Sequence, residues 1–356
     1  RVGPRLMATG NLRQSDVPVD PDRDMHIVVP PATLAINEVA ALLDGATVEV
    51  RDTHKSVLFL TASDAYKLKK PIAYNSVDLR PLATRERTCR EEVRLNRRLA
   101  PDVYLGVVPL TREPGGALAL GGRGEVVDWL VHMRPLPGDR TLDAMIRAQR
   151  GCPEEIEILG TRLARFYAGE PAALIDASGY RGLLLSEMER NHEALSDPAL
   201  DLACASASIL AAHERFLADR AILLDERVAA GRVVNGHGDL RPEHVCLIDP
   251  PVVIDCLEFD PLLRIVDPVD ELSFLGMGCS RLGIGWIEGL LLGAYSRETG
   301  DDPPAELVAF YRSFRATIWA RLAAWRLRVT EADNAARWRD RAASYIGEAA
   351  RFFDAR

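Results

Sequence analysis

The sequence lacks the cysteine patterns and the long apolar runs that define several protein classes. Its six cysteines form no C-x-x-C pair and follow no spacing typical of zinc sites or secreted disulfide frameworks. We therefore expect free thiols in a reducing compartment, which favours a cytoplasmic protein. No uninterrupted run of about 18 apolar residues occurs, so neither a transmembrane span nor a membrane partner is expected.

Two further absences narrow the function. No G-x-x-x-x-G-K-[ST] motif occurs, so the sequence is not that of a P-loop enzyme. The G-x-G fragments at Gly236/Gly238 and Gly283/Gly285 open no strand-to-helix dinucleotide fingerprint. The net charge of −8 provides no cationic surplus to displace the counterions of nucleic-acid phosphates. We therefore expect no nucleic-acid partner.

Length and composition suit a folded chain of more than one lobe. The sequence has 356 residues, of which 47% are hydrophobic and 27% are charged. These values are ordinary for a globular protein, and the length allows two lobes with a large core. Residues 1–26 are rich in Arg, Pro and Asp without periodicity and are predicted to form a flexible N-terminal arm. No pattern assigns an oligomeric state.

The part of the chain up to residue 134 is rich in predicted strands. A helix is predicted over residues 33–44 from its apolar periodicity. A second, highly charged helix is predicted over 85–99, and a Gly-rich hairpin over 114–124. Predicted strands lie at 47–51, 56–60, 65–69, 104–110 and 126–133. Together these patterns predict a β-rich small lobe over residues 27–134.

Beyond the hinge-like segment Pro135-Leu136-Pro137-Gly138, the pattern becomes mainly helical. Short apolar strands are predicted only at 245–248 and 252–254. The last long helical pattern places six residues on one face: Leu307, Phe310, Phe314, Ile318, Leu322 and Trp325. The sequence therefore predicts an α+β protein with a mainly helical large lobe over residues 135–356.

The segment His237-Gly238-Asp239-Leu240-Arg241-Pro242-Glu243-His244 suggests phosphoryl-transfer chemistry. Such a reaction needs a carboxylate that orients the attacking hydroxyl and takes its proton. It also needs a carboxylate at a strand end that binds a hard cation through oxygen. Asp239 lies in a predicted loop and Asp255 follows the apolar residues 252–254, so they suit the two roles. The alternative is an ordinary turn at Asp239 and a strand-ending cap at Asp255.

These motifs, in this order, resemble those of the aminoglycoside phosphotransferase-like kinases, which share the protein-kinase fold. An uncharacterised bacterial branch of that family has Tyr-Lys-Leu-Lys-Lys-Pro, found here at 66–71. It also has the pattern found here at 91–101 and the Ile-Asp-Cys-x-Glu-Phe pattern found at 254–259. The resemblance covers about residues 45–275. It implies a two-lobed protein-kinase-like fold, ATP and Mg²⁺ as cofactors, and a small-molecule hydroxyl as acceptor.

The resemblance implies roles for charged residues of the small lobe, which would bind the nucleotide. Lys67 matches the strand lysine that contacts the α- and β-phosphates. Lys69 lies two residues on, on the same side of the strand, and is the rival candidate. Glu92 matches the glutamate that pairs with this lysine, and Glu91 is the next candidate.

Further positions are assigned by the same resemblance. Met133 and Arg134 fall where the family's hinge presents backbone groups to adenine, although Met133 fits a core position equally well. The turn that covers the phosphates has no glycine here, so any grip would come from hydroxyls such as that of Ser56 and from backbone amides. Asp270 resembles the aspartate that braces the catalytic loop.

His244 departs from the family pattern, which has asparagine five residues after the catalytic aspartate. An imidazole nitrogen suits zinc or copper better than magnesium. One explanation is a single metal held by Asp255, and another is an oxygen supplied by Glu243 or Glu258. His244 could instead bind the metal and shift the preference towards manganese. The fourth explanation is a catalytically silent protein.

We therefore expect an ATP-dependent phosphotransferase that acts on a hydroxyl of a sugar, an aminoglycoside-like compound or another metabolite. Asp239 would be the catalytic base, with Asp255 and His244 at the metal. One alternative is a silent kinase-like module that binds nucleotide and works through protein contacts. Another is a metal-dependent hydrolase built on His237 and Asp239.

Overall fold

The structure is a computed structural model that describes residues 36–43, 48–53, 55–74, 77–329 and 332–352. The predicted N-terminal arm, residues 1–26, lies outside the described residues. Among the described residues, a strand-rich part is followed by a helical part. The predicted α+β class is confirmed.

The strand-rich part is built around one antiparallel sheet of six strands. In chain order its elements are α1 (Ile36–Leu42), β1 (Glu49–Asp52), β2 (Ser56–Leu60), β3 (Ala65–Lys69), β4 (Ala73–Tyr74), β5 (Val77–Asp78), α2 (Leu82–Asn96), β6 (Tyr104–Arg112), β7 (Leu118–Leu120) and β8 (Glu125–Met133). The large sheet has the order β1-β2-β3-β8-β6-β7, and β4 and β5 form a separate hairpin. Strand β3 is therefore central, between β2 and β8.

The two faces of this sheet are covered by different elements because side chains alternate along each strand. On one face Val57, Phe59 and Leu68 are buried in a cluster with Val39 of α1. On the other face Ala65 of β3 packs in a cluster that includes Cys89 and Val93 of α2. Lys67 and Lys69 share the face of Ala65, so the strand directs both ammonium groups towards α2.

The helical part follows β8. Its elements are α3 (Leu142–Arg147), α4 (Pro153–Gly169), α5 (Ala177–Leu195), α6 (Ala203–Ala229), β9 (Val234–Asn235), β10 (Val245–Cys246), β11 (Val252–Val253), β12 (Ile265–Val266), α7 (Pro268–Arg281), α8 (Trp286–Thr299), α9 (Ala305–Val329) and α10 (Ala332–Arg351). One large apolar cluster joins α3 to α9, with Leu159, Leu272, Leu291 and Phe310 fully buried in it. Two small two-stranded antiparallel sheets, β9–β12 and β10–β11, lie in this part of the chain.

Several predicted elements are confirmed with shifted ends. β2 and β3 have the predicted bounds, and the helix predicted over 33–44 is present over Ile36–Leu42. The helix predicted over 85–99 is α2, which begins three residues earlier, after Pro81. The hairpin predicted at 114–124 contains the additional strand β7. The division of the chain at residue 134 stays a prediction.

The helices were also compared with the requirements of a bilayer. Across the part of the chain that the structure describes, no helix combines the length and apolarity needed to cross a membrane.

Candidate active site

Lys67 and Lys69 are joined to α2 and to the segment after β11 by ion pairs. Lys67 Nζ donates to Glu92 Oε1 at 2.9 Å and to Asp255 Oδ1 at 2.7 Å. Lys69 Nζ donates to Glu92 Oε2 at 2.5 Å and to Glu258 Oε1 at 2.6 Å. Glu92 thus receives both lysines, one on each oxygen. The structure brings these four predicted residues and Glu258 into one network.

Each charged group of this network stabilises the charged form of its partners. Burial opposes the charged ammonium of Lys67, but Asp255 and Glu92 outweigh it and raise the pKa of Lys67 well above its usual value. Lys67 in turn holds the pKa of Asp255 well below its usual range. Burial also opposes the carboxylate of Glu92, but Lys67 and Lys69 keep its pKa below the usual value. All four groups are therefore ionised near neutral pH.

Helix α2 also holds the loops of the helical part. The Asn96 Oδ1 atom lies one turn after Glu92 and accepts from the backbone N–H of Cys256 at 2.9 Å. Just beyond the helix, Arg98 donates to the carbonyls of Asn235 and Gly236, each at 2.7 Å. One short stretch of chain therefore fixes the lysine pair and both loops of the site.

The carboxylate of Glu271 holds the backbone of the loop that contains Asp239. This fully buried carboxylate accepts from the N–H of His237 at 3.0 Å and from the N–H of Gly238. A Cβ at Gly236 would lie 2.5 Å from Glu271 Oε2, so a side chain there would displace the brace. Gly238 has φ of +87°, which favours glycine. These two glycines are needed for the loop's path.

The brace was predicted at Asp270, and that prediction is wrong by one residue. Asp270 points to Arg315 instead and accepts from its guanidinium at 2.7 and 2.6 Å. Adjacent residues on a helix face different sides, so only one of the two can reach the loop. Asp270 is structural, as expected, but it ties α7 to α9.

His237 uses both imidazole nitrogens inside the loop. Its Nε2–H donates to the carbonyl of Ile254 at 2.9 Å, and its Nδ1 accepts from the N–H of Asp239 at 3.3 Å. Burial and the neighbouring His244 lower the pKa of His237 to about 4. A neutral His237 therefore joins the loop to the strand end, and it has no lone pair left for the metal pair of the hydrolase alternative.

Asp239 lies between Arg241 and His244. Arg241 Nη2 is 2.9 Å from Asp239 Oδ2, and it also donates to His244 Nε2 at 3.0 Å. His244 Nδ1 donates to the carbonyl of Asp239 at 2.9 Å, which leaves Nε2 as the accepting nitrogen. His244 Nε2 is also 3.5 Å from Asp255 Oδ2. The imidazole therefore spans the gap between the two predicted carboxylates.

Asp255 has an unusual backbone. Its φ is +63°, a left-handed conformation that is uncommon for residues other than glycine. Its N–H donates to the hydroxyl of Tyr104, which lies on β6, at 3.2 Å. Its side chain is 45% exposed, in contrast to 0% for Glu92. The turn therefore leaves this carboxylate accessible to solvent, and such strained positions commonly occur at functional sites.

The other predicted nucleotide contacts, Ser56, Met133 and Arg134, lie outside the ion-pair network described above. Ser56 is buried, and its hydroxyl lies 3.1 Å from that of Thr53 across the β1–β2 turn. Met133 is buried where β8 pairs with both β3 and β6. The N–H of Arg134 donates to the carbonyl of Val103 at 2.9 Å, so it is already engaged. The assignment of these residues to the nucleotide stays a prediction.

The site was tested for its fit to a divalent cation. Throughout the described ranges, no group of three or more His, Cys, Asp or Glu side chains has the arrangement of a metal site. Magnesium, however, commonly uses one or two carboxylates and takes its remaining ligands from phosphates and water. The ionised, exposed carboxylate of Asp255 fits that pattern. His244 Nε2 fits it poorly because it already accepts from Arg241.

Sequence reasoning missed three contacts of this site: those of Tyr104, Arg241 and Glu271. Arg241 carried a signal, since it lies two residues after Asp239 in the same loop. Tyr104 and Glu271 meet the loops only through the packing of distant elements, and no local pattern marks them.

Comparisons with known proteins were made at the level of sequence and of structure. No family model matches the chain. The chain is 33% identical over 285 residues to uncharacterised proteins of Mycobacterium tuberculosis and Mycobacterium bovis. The match covers 78% of this chain and 55% of each relative. The chain thus spans about half the length of the curated relatives it matches.

Similar solved structures identify the fold. A choline/ethanolamine kinase family protein from Mesorhizobium loti superimposes with a TM-score of 0.53 at 14% identity, over 89% of this chain and 92% of that one. A choline kinase from Cryptosporidium parvum gives 0.52 at 9% identity, over 87% and 91%. The GDP complex of an aminoglycoside 2'-phosphotransferase-IIIa gives 0.50 at 15% identity, over 90% and 97%. The fold is that of the aminoglycoside phosphotransferase-like kinases.

The site residues described above can be assigned to the two parts of this kinase-like fold. The predicted two-lobed arrangement and the predicted resemblance are confirmed at the level of the fold. Within the kinase-like phosphotransferase fold, the small lobe contributes β3 and α2, and the helical lobe contributes the loops at Asp239 and Asp255. The ion pairs of Lys67 with Asp255 and of Lys69 with Glu258 join these two parts.

Proposed function

We propose that the protein is an ATP-dependent phosphotransferase that moves the γ-phosphate of ATP to a hydroxyl of a small molecule. The observation that carries this proposal is the bridge made by Lys67, which holds Glu92 at 2.9 Å and Asp255 at 2.7 Å. A strand lysine paired with a helix glutamate, beside a metal-binding aspartate, is the arrangement on which phosphoryl transfer depends in protein kinases.

Lys67 is the better phosphate ligand of the two lysines. Its side chain is 19% exposed, whereas that of Lys69 is 4% exposed and lies between two carboxylates. A nucleotide entering the cleft would meet Lys67 first, next to Asp255. Lys69 would hold Glu92 and Glu258 in place.

Asp255 would hold a magnesium ion, which supplies charge neutralisation at the phosphate oxygens when it is bound. Asp239 would accept a hydrogen bond from the acceptor hydroxyl and take its proton as the oxygen attacks the γ-phosphorus. One O–P bond forms, the bond from the γ-phosphorus to the bridging oxygen breaks, and ADP leaves. Arg241, held 2.9 Å from Asp239, lies where it can stabilise the charge of the transferring group.

His244 would act on the loop rather than on the metal. Its hydrogen bond to the Asp239 carbonyl fixes the backbone of the catalytic residue, and its Nε2 orients Arg241. The arrangement supports a centre that uses a single cation on Asp255, the first of the four explanations for this departure. Glu243 and Glu258 support it as well, since each is paired with a basic residue.

The acceptor would be a small molecule with a free hydroxyl. The comparison structures include choline kinases and an aminoglycoside phosphotransferase, by their own descriptions. For this chain we propose the shared reaction, transfer to an alcohol, and leave sugars, amino alcohols and aminoglycosides as the classes for a substrate screen.

The experiment is a phosphorylation screen over a panel of such alcohols with MgATP, in which product is measured by mass spectrometry. Asp239→Asn is the blank, because it keeps the size of the side chain and removes the base. Asp219→Asn, at an exposed position of α6, is the matched control. We expect product from the wild type and from the Asp219 variant, and at least a hundredfold less from the Asp239 variant.

Binding of ATP is measured in parallel by calorimetry. ATP binding without product from any alcohol, and without a difference between wild type and Asp239→Asn in slow ATP hydrolysis, would favour the silent nucleotide-binding module. The observation that favours this second candidate is His244, which stands where the family pattern has asparagine. Absence of ATP binding would remove both candidates.

A further inference from the structure

The turn between β1 and β2 is closed by side-chain hydroxyls instead of glycines. The Thr53 hydroxyl donates to the carbonyl of Ser56 at 2.7 Å, and the Ser56 N–H donates back to the Thr53 hydroxyl at 3.1 Å. The N–H of Thr53 also donates to the Ser56 carbonyl at 2.9 Å. In kinase-like folds this turn covers the nucleotide phosphates, but here its hydroxyls are used to hold the turn itself.

The same turn is anchored to the strand that carries the phosphate-binding lysine. The carbonyl of Lys55 accepts from the N–H of Lys70, directly after β3, at 2.8 Å. The position of Lys55 is therefore fixed relative to Lys67 by main-chain hydrogen bonds.

The side chain of Lys55 enters the cleft. Its ammonium lies over the ring of Phe259, 4.0 Å from the ring centroid, in a cation–π contact. Burial lowers the pKa of Lys55 to about 8, while the charges of Glu258, Asp255 and Asp239 oppose that shift. The ammonium therefore lies close enough to interact with the carboxylates of Glu258, Asp255 and Asp239.

We propose that Lys55 is a ligand of the terminal phosphates of the nucleotide and takes the place of the backbone amides that a glycine-rich turn would offer. The inference rests on the proposed function. On MgATP binding the ammonium leaves the ring of Phe259 and forms a charge-assisted hydrogen bond to a phosphate oxygen. Lys67 and Lys55 then hold the phosphates from two sides, one from the sheet and one from the turn.

The test compares nucleotides that differ in their terminal phosphates. Lys55→Met should weaken ATP binding by about tenfold or more, as expected for loss of a charge-assisted hydrogen bond, and leave AMP binding unchanged. Lys55→Arg should retain part of the ATP affinity. Lys70→Met is the matched control, because Lys70 also contacts the turn, through its backbone N–H, but its ammonium pairs with Asp52 at 2.5 Å. Calorimetry gives each dissociation constant.

A second measurement uses the unaltered protein. Acetylation of Lys55, followed by mass spectrometry, should be slowed by MgATP and not by AMP, while acetylation of Lys70 should not respond to either. Equal ATP affinities of wild type and Lys55→Met, or equal losses for ATP and AMP, would overturn the role of Lys55 and leave the phosphotransferase proposal standing. A wild type that binds no ATP would overturn both.

Discussion

At the scale of single residues, the side chains of Lys67 and Lys69 differ in how deeply they are buried. Both lie on one face of β3 and both donate to Glu92. Lys67 reaches the exposed carboxylate of Asp255, whereas Lys69 reaches Glu258 and is almost fully buried. A buried ion pair that loses one partner leaves an uncompensated charge, so the two lysines differ in what their loss would cost.

Replacing each lysine by methionine should therefore give different results. Lys67→Met is expected to weaken ATP binding by about tenfold to a hundredfold, because it removes a phosphate contact. Its effect on stability should be smaller than that of Lys69→Met, because Glu92 keeps Lys69 as a partner and Asp255 is partly exposed. Lys69→Met is expected to lower the free energy of unfolding by about 3–5 kcal/mol, since Glu92 and Glu258 lose a buried partner. Calorimetry and urea unfolding measure the two quantities. Equal effects of the two variants on both quantities would show that the assignment is wrong.

The sequence predicted part of this network. Alternation along a strand places Lys67 and Lys69 on one face, and the helix periodicity brings Glu92 towards them. The partner of Lys69 could not be predicted, because Glu258 follows a turn whose left-handed residue, Asp255, redirects the chain. Arg241 could be named as a loop residue, but its contact with Asp239 depends on the torsion angles of the loop.

At the scale of elements, helix α7 decides the shape of the catalytic loop through one side chain. Glu271 accepts from two successive loop amides and from the hydroxyl of Tyr167, which lies on α4, at 2.8 Å. The carboxylate has no donor of its own, so three donors can share it. A helix of the core thus sets the position of the loop that carries Asp239.

Glu271→Gln is expected to loosen this loop. The amide group would turn one donor towards the loop amides, leave a buried N–H unsatisfied, and lower the free energy of unfolding by about 1–3 kcal/mol. Hydrogen exchange at residues 236–240 should become faster than in the wild type. Asp270→Asn is the matched control: it weakens the pair with Arg315 but should leave exchange in the loop unchanged. If hydrogen exchange in the loop were also faster in Asp270→Asn, the loop would be held by Asp270 and the assignment to Glu271 would be wrong.

Predicted elements were most accurate where a local signal marks both ends. β2 and β3 are bounded by turns at both ends, so their bounds match. α2 begins earlier than predicted because Pro81 suits the start of a helix and the apolar stripe does not mark that point. In α9 the predicted face is buried up to Phe314, but further on Ala320 and Ala324 are buried instead, where α10 packs closely.

At the scale of the whole molecule, the helical part contains a histidine that resists protonation. His213 on α6 is buried, its Nε2 lies 2.9 Å from the hydroxyl of Ser313, and the rings of Phe310 and Phe314 meet it edge-on. Burial lowers the pKa of His213 from 6.5 to about 3. The unfolded chain therefore binds a proton at this residue at a higher pH than the folded protein does.

The consequence is a loss of stability in acid. The contribution of His213 is complete above pH 6.5 and falls as the pH decreases towards 3, because only the unfolded chain is protonated in that interval. By linkage, the loss is roughly 2–3 kcal/mol at pH 4.5. Urea unfolding between pH 7.5 and 4.5 should show a shallower pH dependence for His213→Gln than for the wild type. His192→Gln, at an exposed position of α5, should keep the wild-type slope. Parallel profiles for all three proteins would contradict the prediction.

Under the proposed function, the contact between Lys67 and Asp255 predicts the order in which nucleotide and cation bind. Asp255 Oδ1 is held by an ammonium, so a free cation that approached this carboxylate would meet a positive charge already in place. The phosphates of a nucleotide would attract the ammonium of Lys67, and Asp255 Oδ1 would then be available to hold a cation. Under the proposed function, a cation is therefore expected to bind at Asp255 as its complex with the nucleotide and only weakly without it.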